Sequence, residues 1–416
     1  MTPPALILIP SHPTTISQTK YQSVGPTYTQ IDPGTSPSKD TGFDPDDVLS
    51  EYRLLGPFRH LMKITGLDCS SSVAPKSCFS RILAILIITI LFIRCILLFN
   101  VTSRAMSVQW AESNMFAFMS IHSIICAFCL FTWTKNGFVA KHMERLEVVS
   151  KLRISQNYSL DDYSLLHKKS FIWAGLWFLC IMTHSITSSL FQRFLLTTEP
   201  QPNKVINILL PVATFVSCLA VTLCLITYVL VNCSLTRELE QFNRELEEVV
   251  VNGRGFEDAY EIFSNRQAKL IKVVRKANES LGSYAAPGPI FCFFGMINGV
   301  YIVSFLPSLP TPIFIILLLN LIAIITITIF TLRPPSNVQH QITDTSRILL
   351  ESEELQKIKS FKVMIDRSLK TDTRIRAAGG IPICHNSMMV SLLVLPNLGN
   401  VLGVIKNVLV ANGVQI

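Results

Sequence analysis

The last hydrophobic stretch of the chain, residues 396–416, carries uncharged amide side chains at helical spacing. On a helix that advances about 100° per residue, one arc roughly 80° wide holds Asn397, Asn400, Val404, Asn407, Ala411 and Gln415. Amides along one narrow side of a membrane helix suit the wall of a water-filled ion path. We predict that the path is lined by Asn400, Val404, Asn407, Ala411 and Gln415. The same amides would also suit hydrogen bonds to neighbouring helices inside a bundle.

The other faces of this helix carry a glycine pair and a single lysine. Gly399 and Gly403 form a GxxxG pair, which lets a second helix backbone approach closely. The single charge, Lys406, projects about 180° from Asn397. A lysine that lined a cation path would repel the ions, so the pore prediction requires Lys406 to face protein or lipid headgroups.

The chain contains no familiar catalytic motif, because it has no Walker loop, no HExxH and no GxSxG. We therefore predict a protein that is not an enzyme and that uses no cofactor and no metal. Apolar and aromatic residues with a few hydroxyl, amide and imidazole groups recur inside the hydrophobic segments, a composition that suits a small organic ligand as well as ordinary helix packing. The predicted ligand-binding residues are His122, His184, Thr187, Thr214, Asn298, Tyr301 and Phe305.

Composition indicates a membrane protein. Of the 416 residues, 49% are hydrophobic and 15% are charged, whereas soluble proteins have about 25% charged residues. The net charge of +8 does not indicate nucleic-acid binding, because the basic residues lie in loops between apolar segments and are mixed with acids. We predict an all-α, multi-pass protein of the plasma membrane that contacts lipid and no nucleic acid.

Seven apolar segments approach or exceed the roughly 20 residues that cross a bilayer. They are residues 82–100, 113–134, 170–192, 205–232, 285–306, 312–332 and 386–416. The last segment is either one helix or two pieces, with residues 384–396 outside the bilayer and 398–416 within it, because Pro396 cannot donate a backbone hydrogen bond. Arg94, inside the first span, has to snorkel to the interface, form a pair or face water.

Basic residues predict the orientation. Of the 36 Lys and Arg residues, only Arg104, Arg193 and Lys204 lie in the loops on one side, while most of the others lie in the loops on the opposite side. Lys and Arg are enriched in cytoplasmic loops. We therefore predict a cytoplasmic N-terminus and an extracellular C-terminus, which is the inverse of a G-protein-coupled receptor. The predicted ligand-binding residues fall in the outer halves of the spans.

The chain is also predicted to divide by composition. Apolar residues recur at steps of four and three through residues 235–249 and 263–281, which predicts that spans four and five extend into the cytoplasm as helices. Because the apolar stripes need burial, we predict that these extensions form a cytoplasmic anchor bundle; the alternative is solvated helical loops. The predicted regions are a disordered cytoplasmic tail (1–50), an amphipathic pre-membrane helical segment (51–81), spans one to six with their extensions and the ligand-binding region (82–332), a cytoplasmic helical linker (333–383), and the pore-lining last helix (384–416).

The chain resembles the arthropod seven-transmembrane chemoreceptors, the superfamily of gustatory and odorant receptors. The resemblance is carried by GPFRHLMKITGL before the first span, SLTRELEQFNRELEEVV after the fourth, KANESLGSY before the fifth, and a short last helix. Gustatory receptors typically end with Thr-Tyr, five hydrophobic residues and Gln-Phe. The matching residues here read VLVANGVQI, which keeps Gln415 but has Val408 and Leu409 in place of Thr-Tyr and Ile416 in place of Phe.

The resemblance implies a homo- or heterotetramer around a central pore lined by the last helix. A small organic ligand, a tastant or a volatile, would bind among the other spans and open the pore to cations, and Gln415 would match the motif glutamine near the pore. We therefore predict a gustatory-type chemosensory receptor that acts as a ligand-gated cation channel. The alternatives are a polytopic transporter or a gustatory-receptor-like membrane protein without channel activity.

Overall fold

The structure is a computed structural model that describes residues 54–68, 78–99, 108–154, 162–195, 204–252, 256–303, 311–351, 359–370, 374–377 and 381–413. The predicted tail (1–50), Phe305 and Gln415 lie outside these residues. The predicted all-α fold is confirmed. Helices in the described ranges are α1 (Phe58–Ile64), α2 (Cys78–Phe99), α3 (Val108–Asn136), α4 (Phe138–Ser150), α5 (Ser164–Leu195), α6 (Lys204–Asn252), α7 (Phe256–Ala285), α8 (Gly288–Val303), α9 (Thr311–Glu351), α10 (Lys359–Lys370) and α11 (His385–Ala411).

A short antiparallel pair of strands precedes the last helix. Strand β1 (Arg376–Ala377) pairs with β2 (Ile381–Pro382), so that Arg376 lies opposite Pro382 and Ala377 opposite Ile381. The Ile383 N–H also donates to the Ile375 carbonyl at 2.8 Å.

Helices that are long and apolar enough to cross a membrane make up most of the described structure. Six described segments are long and apolar enough to cross a bilayer: Asn114–Asn136, Ser164–Thr183, Pro211–Val250, Tyr260–Ile302, Phe314–Glu351 and Met388–Ala411. Helix α2 is the segment predicted as the first span, and its exposed side is aliphatic and aromatic, with Ile82, Ile85, Phe92 and Ile96 uncovered. An uncovered apolar surface of this extent suits lipid contact. The chain is a multi-pass membrane protein.

Several helices continue well beyond the apolar spans, as the stepwise apolar pattern predicts. Helix α6 runs on to Asn252, α7 precedes α8, and α9 runs on to Glu351. Their extensions bury the repeated apolar residues, including Leu235, Phe242 and Phe263. We call the packed group formed by α4, residues 233–252, α7, residues 333–351 and α10 the anchor bundle.

Buried charges join the helices of the anchor bundle. Arg153, just after α4, pairs with Glu238 of α6, and its Nε lies 3.3 Å from Glu238 Oε2. Arg266 of α7 donates from Nη1 to Glu245 Oε2 at 2.5 Å. Glu245 also accepts from the Ile154 backbone N–H at 3.1 Å. Two arginines and two glutamates thus form a buried, formally neutral network across three parts of the chain.

A neutral histidine lies in the same bundle. His142 of α4 is buried, and its Nε2 lies 2.9 Å from Ser234 Oγ of α6. Burial, with a smaller contribution from the nearby Arg145 charge, lowers the pKa of His142 to about 3. The imidazole is therefore uncharged at neutral pH and joins α4 to α6 as a neutral hydrogen-bonding group.

The segment before the first span packs on the bundle. Leu54, Phe58 and Met62 are buried, while Leu61 is partly exposed. His167 Nε2 of α5 donates to the Leu54 carbonyl at 2.7 Å. Gly56 has a φ of +49°, and a Cβ there would lie 2.7 Å from the His167 ring. The described part of the amphipathic segment therefore packs against protein.

Helix α11 runs without interruption through Pro396. The backbone is therefore not broken at Pro396, whereas the division of this segment between bilayer and exterior stays a prediction. Proline inside a helix removes one backbone hydrogen bond and often bends the helix. Helices α6 and α9 also contain prolines, Pro211 and the Pro334–Pro335 pair.

Candidate functional site

A cavity lies near the middle of the membrane helices. Its volume is about 50 Å³, and helices α3, α5, α6, α8 and α9 form its walls. Most of the lining is apolar or aromatic. The lining residues are Met115, Phe116, Phe118, Met119, His122, Trp177, Ile181, Val221, Phe291, Cys292, Gly295, Asn320, Ile324 and Ile327.

Three of the lining side chains are polar and more than nine-tenths buried: Asn320 (1% exposed), His122 (6%) and Trp177 (8%). Within the described residues, Asn320 Oδ1 and Nδ2, His122 Nε2 and Trp177 Nε1 have no hydrogen-bond partner. Unpaired polar atoms inside proteins are uncommon, because leaving each one unpaired costs about 1–3 kcal/mol. Their presence around one cavity marks it as the candidate ligand site.

Aromatic packing fixes the histidine of this site. The His122 ring stacks with Phe291, with centroids 5.9 Å apart, and with Tyr284, with centroids 5.8 Å apart. The Cys126 thiol lies beside the imidazole one helical turn along α3. Tyr284 is held in turn by Tyr228, with centroids 4.9 Å apart, and by Thr331, whose Oγ1 lies 3.2 Å from the phenol oxygen.

Glycines bring α8 and α9 together beside the cavity. A Cβ on Gly299 would lie 2.8 Å from Leu321 Cδ1, and a Cβ on Gly295 would lie 3.2 Å from Ile324 Cγ2. The absent side chains therefore allow a close helix contact. Gly295 also lines the cavity itself.

Of the predicted ligand-binding residues, His122 lines the cavity, whereas Thr214, Asn298 and Tyr301 do not. Thr214 is buried in α6 outside the lining. Asn298 Nδ2 donates to the Phe294 carbonyl of its own helix at 3.1 Å. Tyr301 is buried against Trp110 in an edge-to-face contact at 6.2 Å. His184 and Thr187 belong to α5, but the described structure does not include their side chains. Phe305 lies outside the described residues.

Sequence reasoning missed Trp177 and Asn320. A signal for Asn320 exists, since it is a single amide inside the aliphatic run IFIILLLNLIAII. Such an amide has to find a partner or pay a desolvation cost. No comparable signal exists for Trp177, because α5 has a second tryptophan, Trp173, that is exposed.

Arg94 takes an internal position. Its side chain is buried, and its guanidinium lies 5.9 Å from the Phe116 ring centroid. Of the options that the sequence left open, snorkelling to the interface is not adopted. A cation over an aromatic face gains electrostatic stabilisation that grows as water is removed.

A second cavity adjoins the first at Trp177. It has a similar volume of about 50 Å³ and lies between α5, α6 and α9. Trp177 and Ile327 line both cavities, whereas Thr222 and Phe330 line only the second. Within the described ranges, no group of three or more His, Cys, Asp or Glu side chains is arranged to hold a metal ion.

Helix α11 packs on its own protomer through its glycine face. Gly399 and Gly403 are buried, and a Cβ on Gly399 would lie 2.7 Å from the Ile297 carbonyl oxygen of α8. Lys406 is half-buried on this same side of the helix. The GxxxG pair therefore serves an intramolecular contact between α11 and α8.

The opposite half of α11 is uncovered in the protomer. Asn400, Val404, Asn407 and Ala411 are exposed along the amide-bearing arc, which we call the amide stripe. Beside it runs an exposed aliphatic stripe, composed of Leu398, Val401, Ile405 and Val408. Gln415, the fifth predicted pore residue, lies outside the described residues.

Comparison with known proteins gives a family and a fold. The family model described as "Caenorhabditis protein of unknown function, DUF267" matches residues 54–399. No curated protein sequence matches the chain. The fold is similar to the insect olfactory receptor OR5 from Machilis hrabei, with a TM-score of 0.59 and 15% identity over 83% of this chain and 98% of that one.

The same receptor in complex with eugenol is also similar, with a TM-score of 0.63 and 14% identity over 85% of this chain and 99% of that one. At this level of identity the likeness concerns the fold. It confirms the chemoreceptor fold that the sequence resemblance implies, while the gustatory subtype stays a prediction.

Proposed function

The chain belongs to the DUF267 family of Caenorhabditis proteins of unknown function, and we propose that it is a chemosensory receptor that acts as a ligand-gated cation channel. The subtype proposed is gustatory, in keeping with the sequence resemblance. A small organic ligand would bind within the helical bundle and open a pore lined by α11. The insect olfactory receptor with the same fold is known in complex with eugenol, which supports a small-molecule ligand here.

The observation that carries the proposal is the two-sided exposure of α11. Its glycine face is used against α8, while its amide and aliphatic stripes have no covering element in the described protomer. An aliphatic surface is satisfied by lipid or by another helix, whereas amides are poorly solvated by lipid. The amide stripe therefore calls for water or for a polar protein neighbour.

Assembly of four copies around one axis meets both demands. The aliphatic stripes would pack against neighbouring subunits, and the amide stripes would enclose an aqueous path. The proposed pore residues are Asn400, Val404, Asn407, Ala411 and Gln415. Lys406 lies on the side packed toward α8, so its charge would be kept away from passing cations. The tetramer would consist of identical chains or include a related subunit.

Helix α8 connects the proposed ligand site to the proposed pore. Its residues Phe291, Cys292 and Gly295 line the cavity, and one to two turns further along, Ile297 and Val300 contact Gly399 of α11. A ligand that fits an expanded cavity better than a contracted one would favour the helix arrangement that goes with expansion. Movement of α8 would then be passed directly to α11.

The proposal keeps His122, His184, Thr187, Thr214, Asn298, Tyr301 and Phe305 as ligand-binding residues of the bundle. It places the protein in the plasma membrane with the anchor bundle and residues 1–50 in the cytoplasm and the C-terminus outside. Epitope tags at the two ends of the full chain test this placement. On intact cells the C-terminal tag should bind antibody, and the N-terminal tag should do so only after permeabilisation.

Channel activity is tested by reconstituting the purified full chain in planar bilayers and recording currents with a panel of tastants and volatiles that includes eugenol. Ligand-evoked cation currents are expected. Asn407→Lys should strongly reduce them, because a charge on the amide stripe repels cations. The control is Asn407→Gln, which keeps a neutral amide at the same exposed position and should retain the currents. Full currents from Asn407→Lys would remove Asn407 from the pore.

A further inference from the structure

In the described structure, three side chains with unpaired buried polar atoms, one each from α3, α5 and α9, line the first cavity. We propose that it recognises a compact, neutral, ring-bearing ligand whose polar group both donates and accepts hydrogen bonds, as a carboxamide does. Asn320, His122 and Trp177 would bind that group. The proposal rests on the ligand-binding function proposed above and assigns the chemical class of the ligand.

Hydrogen-bonding capacity defines the polar group. Trp177 Nε1 can only donate, so it needs an acceptor on the ligand. Asn320 donates from Nδ2 and accepts at Oδ1, and both atoms lack a partner within the described residues. His122 Nε2 donates or accepts according to its tautomer. A ligand with an acceptor alone would leave Asn320 Oδ1 unpaired, so a donor and an acceptor are both required.

The absence of charged side chains from the cavity lining indicates the charge of the ligand. The cavity lining includes no Lys, Arg, Asp or Glu. Burial of an ion without a counter-charge is strongly unfavourable. Arg94 lies over the Phe116 ring but does not line the cavity. A neutral ligand is therefore favoured over a carboxylate or an amine.

Shape and flexibility define its size. Phe116, Phe118 and Phe291 offer ring faces and edges, which pack well against a ligand ring. The present volume of about 50 Å³ is smaller than the roughly 150 Å³ of an engineered cavity that holds benzene. Met115 and Met119 line the wall, and methionine side chains adapt readily to a new shape. Entry of one ring would therefore require repacking at these two positions.

Three nearly isosteric probes separate the contributions of the ring and of its polar group. Benzamide donates and accepts, acetophenone only accepts, and isopropylbenzene does neither. Dissociation constants are measured from the ligand-dependent rise in the unfolding temperature of the purified full chain in detergent. We expect wild type to prefer benzamide over acetophenone and acetophenone over isopropylbenzene. Comparing each preference between wild type and variants removes the effect of probe partition into detergent.

Asn320→Leu is the decisive variant, because leucine has nearly the same volume and no polar atom. It should weaken benzamide binding at least about tenfold and abolish the preference for benzamide over isopropylbenzene. His122→Phe and Trp177→Phe should each weaken benzamide binding severalfold. Thr222→Val is the matched control, because Thr222 Oγ1 is also buried and unpaired but lines only the second cavity. It should leave binding unchanged.

A second measurement guards against a purely structural role for Asn320. Without ligand, Asn320→Leu should raise the unfolding temperature, because the variant no longer buries an unpaired amide. A lower unfolding temperature would mean that Asn320 has a structural partner and would overturn the proposal. Equal binding of all three probes, absence of binding by all three, or unchanged benzamide binding in Asn320→Leu would also overturn it.

These outcomes are independent of channel activity. Ligand-evoked currents that are insensitive to Asn320→Leu, His122→Phe and Trp177→Phe would preserve the proposed receptor function and refute the assigned ligand class. If benzamide binding depends on these residues but the chain carries no current, the assigned ligand class is supported and the proposed channel function is refuted.

Discussion

The anchor bundle and the membrane cavity differ in the charge and in the pairing of their buried polar side chains. In the anchor bundle, Arg153 faces Glu238 and Arg266 faces Glu245, so each buried charge has an opposite charge beside it. In the cavity, Asn320, His122 and Trp177 carry atoms that have no partner in the described structure. Paired polar groups hold the helices in one arrangement, whereas unpaired ones favour whatever can complete their hydrogen bonds.

Side-chain hydrogen bonds also join the helices of the anchor bundle. Asn243 of α6 donates to the Gln341 carbonyl at 2.8 Å and accepts from Thr345 Oγ1 of α9 at 2.5 Å. Gln267 of α7 donates to Ser368 Oγ of α10 at 2.8 Å. The anchor bundle is thus joined at several places, which suits a rigid base against which the membrane helices can shift.

Removal of one buried charge is the strongest test of the rigid base. Glu245→Ala leaves Arg266 without its closest partner in a buried site, and breaking a buried pair typically costs about 3–5 kcal/mol. We expect a large fall in the unfolding temperature of the purified chain and a loss of monodisperse protein. Glu247→Ala is the control, because Glu247 is exposed on the same helix. Equal behaviour of the two variants would show that the buried network adds little to stability.

A second prediction concerns the contact between α11 and α8 in the membrane-spanning part of the chain. Gly399→Ala places a Cβ 2.7 Å from the Ile297 carbonyl oxygen, so the helices must separate, and overpacking of this kind costs about 1–3 kcal/mol. We expect a lower unfolding temperature and altered ligand-evoked currents, because α8 connects the cavity to α11.

The matched control is Gly175→Ala in α5, where an added Cβ meets nothing within 4 Å. Alanine favours helix over glycine by about 1 kcal/mol, so this variant should be neutral or slightly stabilising. A stable Gly399→Ala protein with unchanged currents would mean that close packing of α11 on α8 is not required.

Much of the fold was predictable because its signals are local and repeated. Apolar length marks the membrane helices, and apolar residues such as Leu239 and Leu246 at steps of three and four mark the extensions of the anchor bundle. The close approach at Gly399 was also predictable from the GxxxG spacing. Its partner, Ile297 of α8, was not, because spacing in one helix does not specify which neighbour it meets.

The cavity was harder to predict because it depends on which faces of five helices converge. His122 reaches the cavity, but Asn298, predicted for the same role, bonds to its own helix instead. Both are polar residues in apolar spans, and local sequence gives no means of separating them. The arginine–glutamate network has the same origin, since Glu238 and Arg266 are far apart in sequence and are joined only when α6 and α7 pack.

The smallest expected effect is a dependence of stability on acid pH that comes from His142. The pKa of His142 is lowered to about 3 in the folded chain, whereas an unfolded histidine titrates near 6.5. Between these values the unfolded chain binds the proton and the folded chain does not, so stability falls as the pH falls below about 6.5. The loss approaches about 1.4 kcal/mol for each pH unit in this window.

Unfolding temperatures measured at pH 7.5 and pH 5.5 test this expectation. In His142→Gln the side chain can still bond to Ser234 but cannot titrate, so the drop between the two pH values should shrink. His385→Gln, at an exposed position, should keep the wild-type drop. If His142→Gln kept the full drop, His142 would not be the group that makes the stability sensitive to acid. The anchor bundle would then no longer be the pH-dependent part of the molecule.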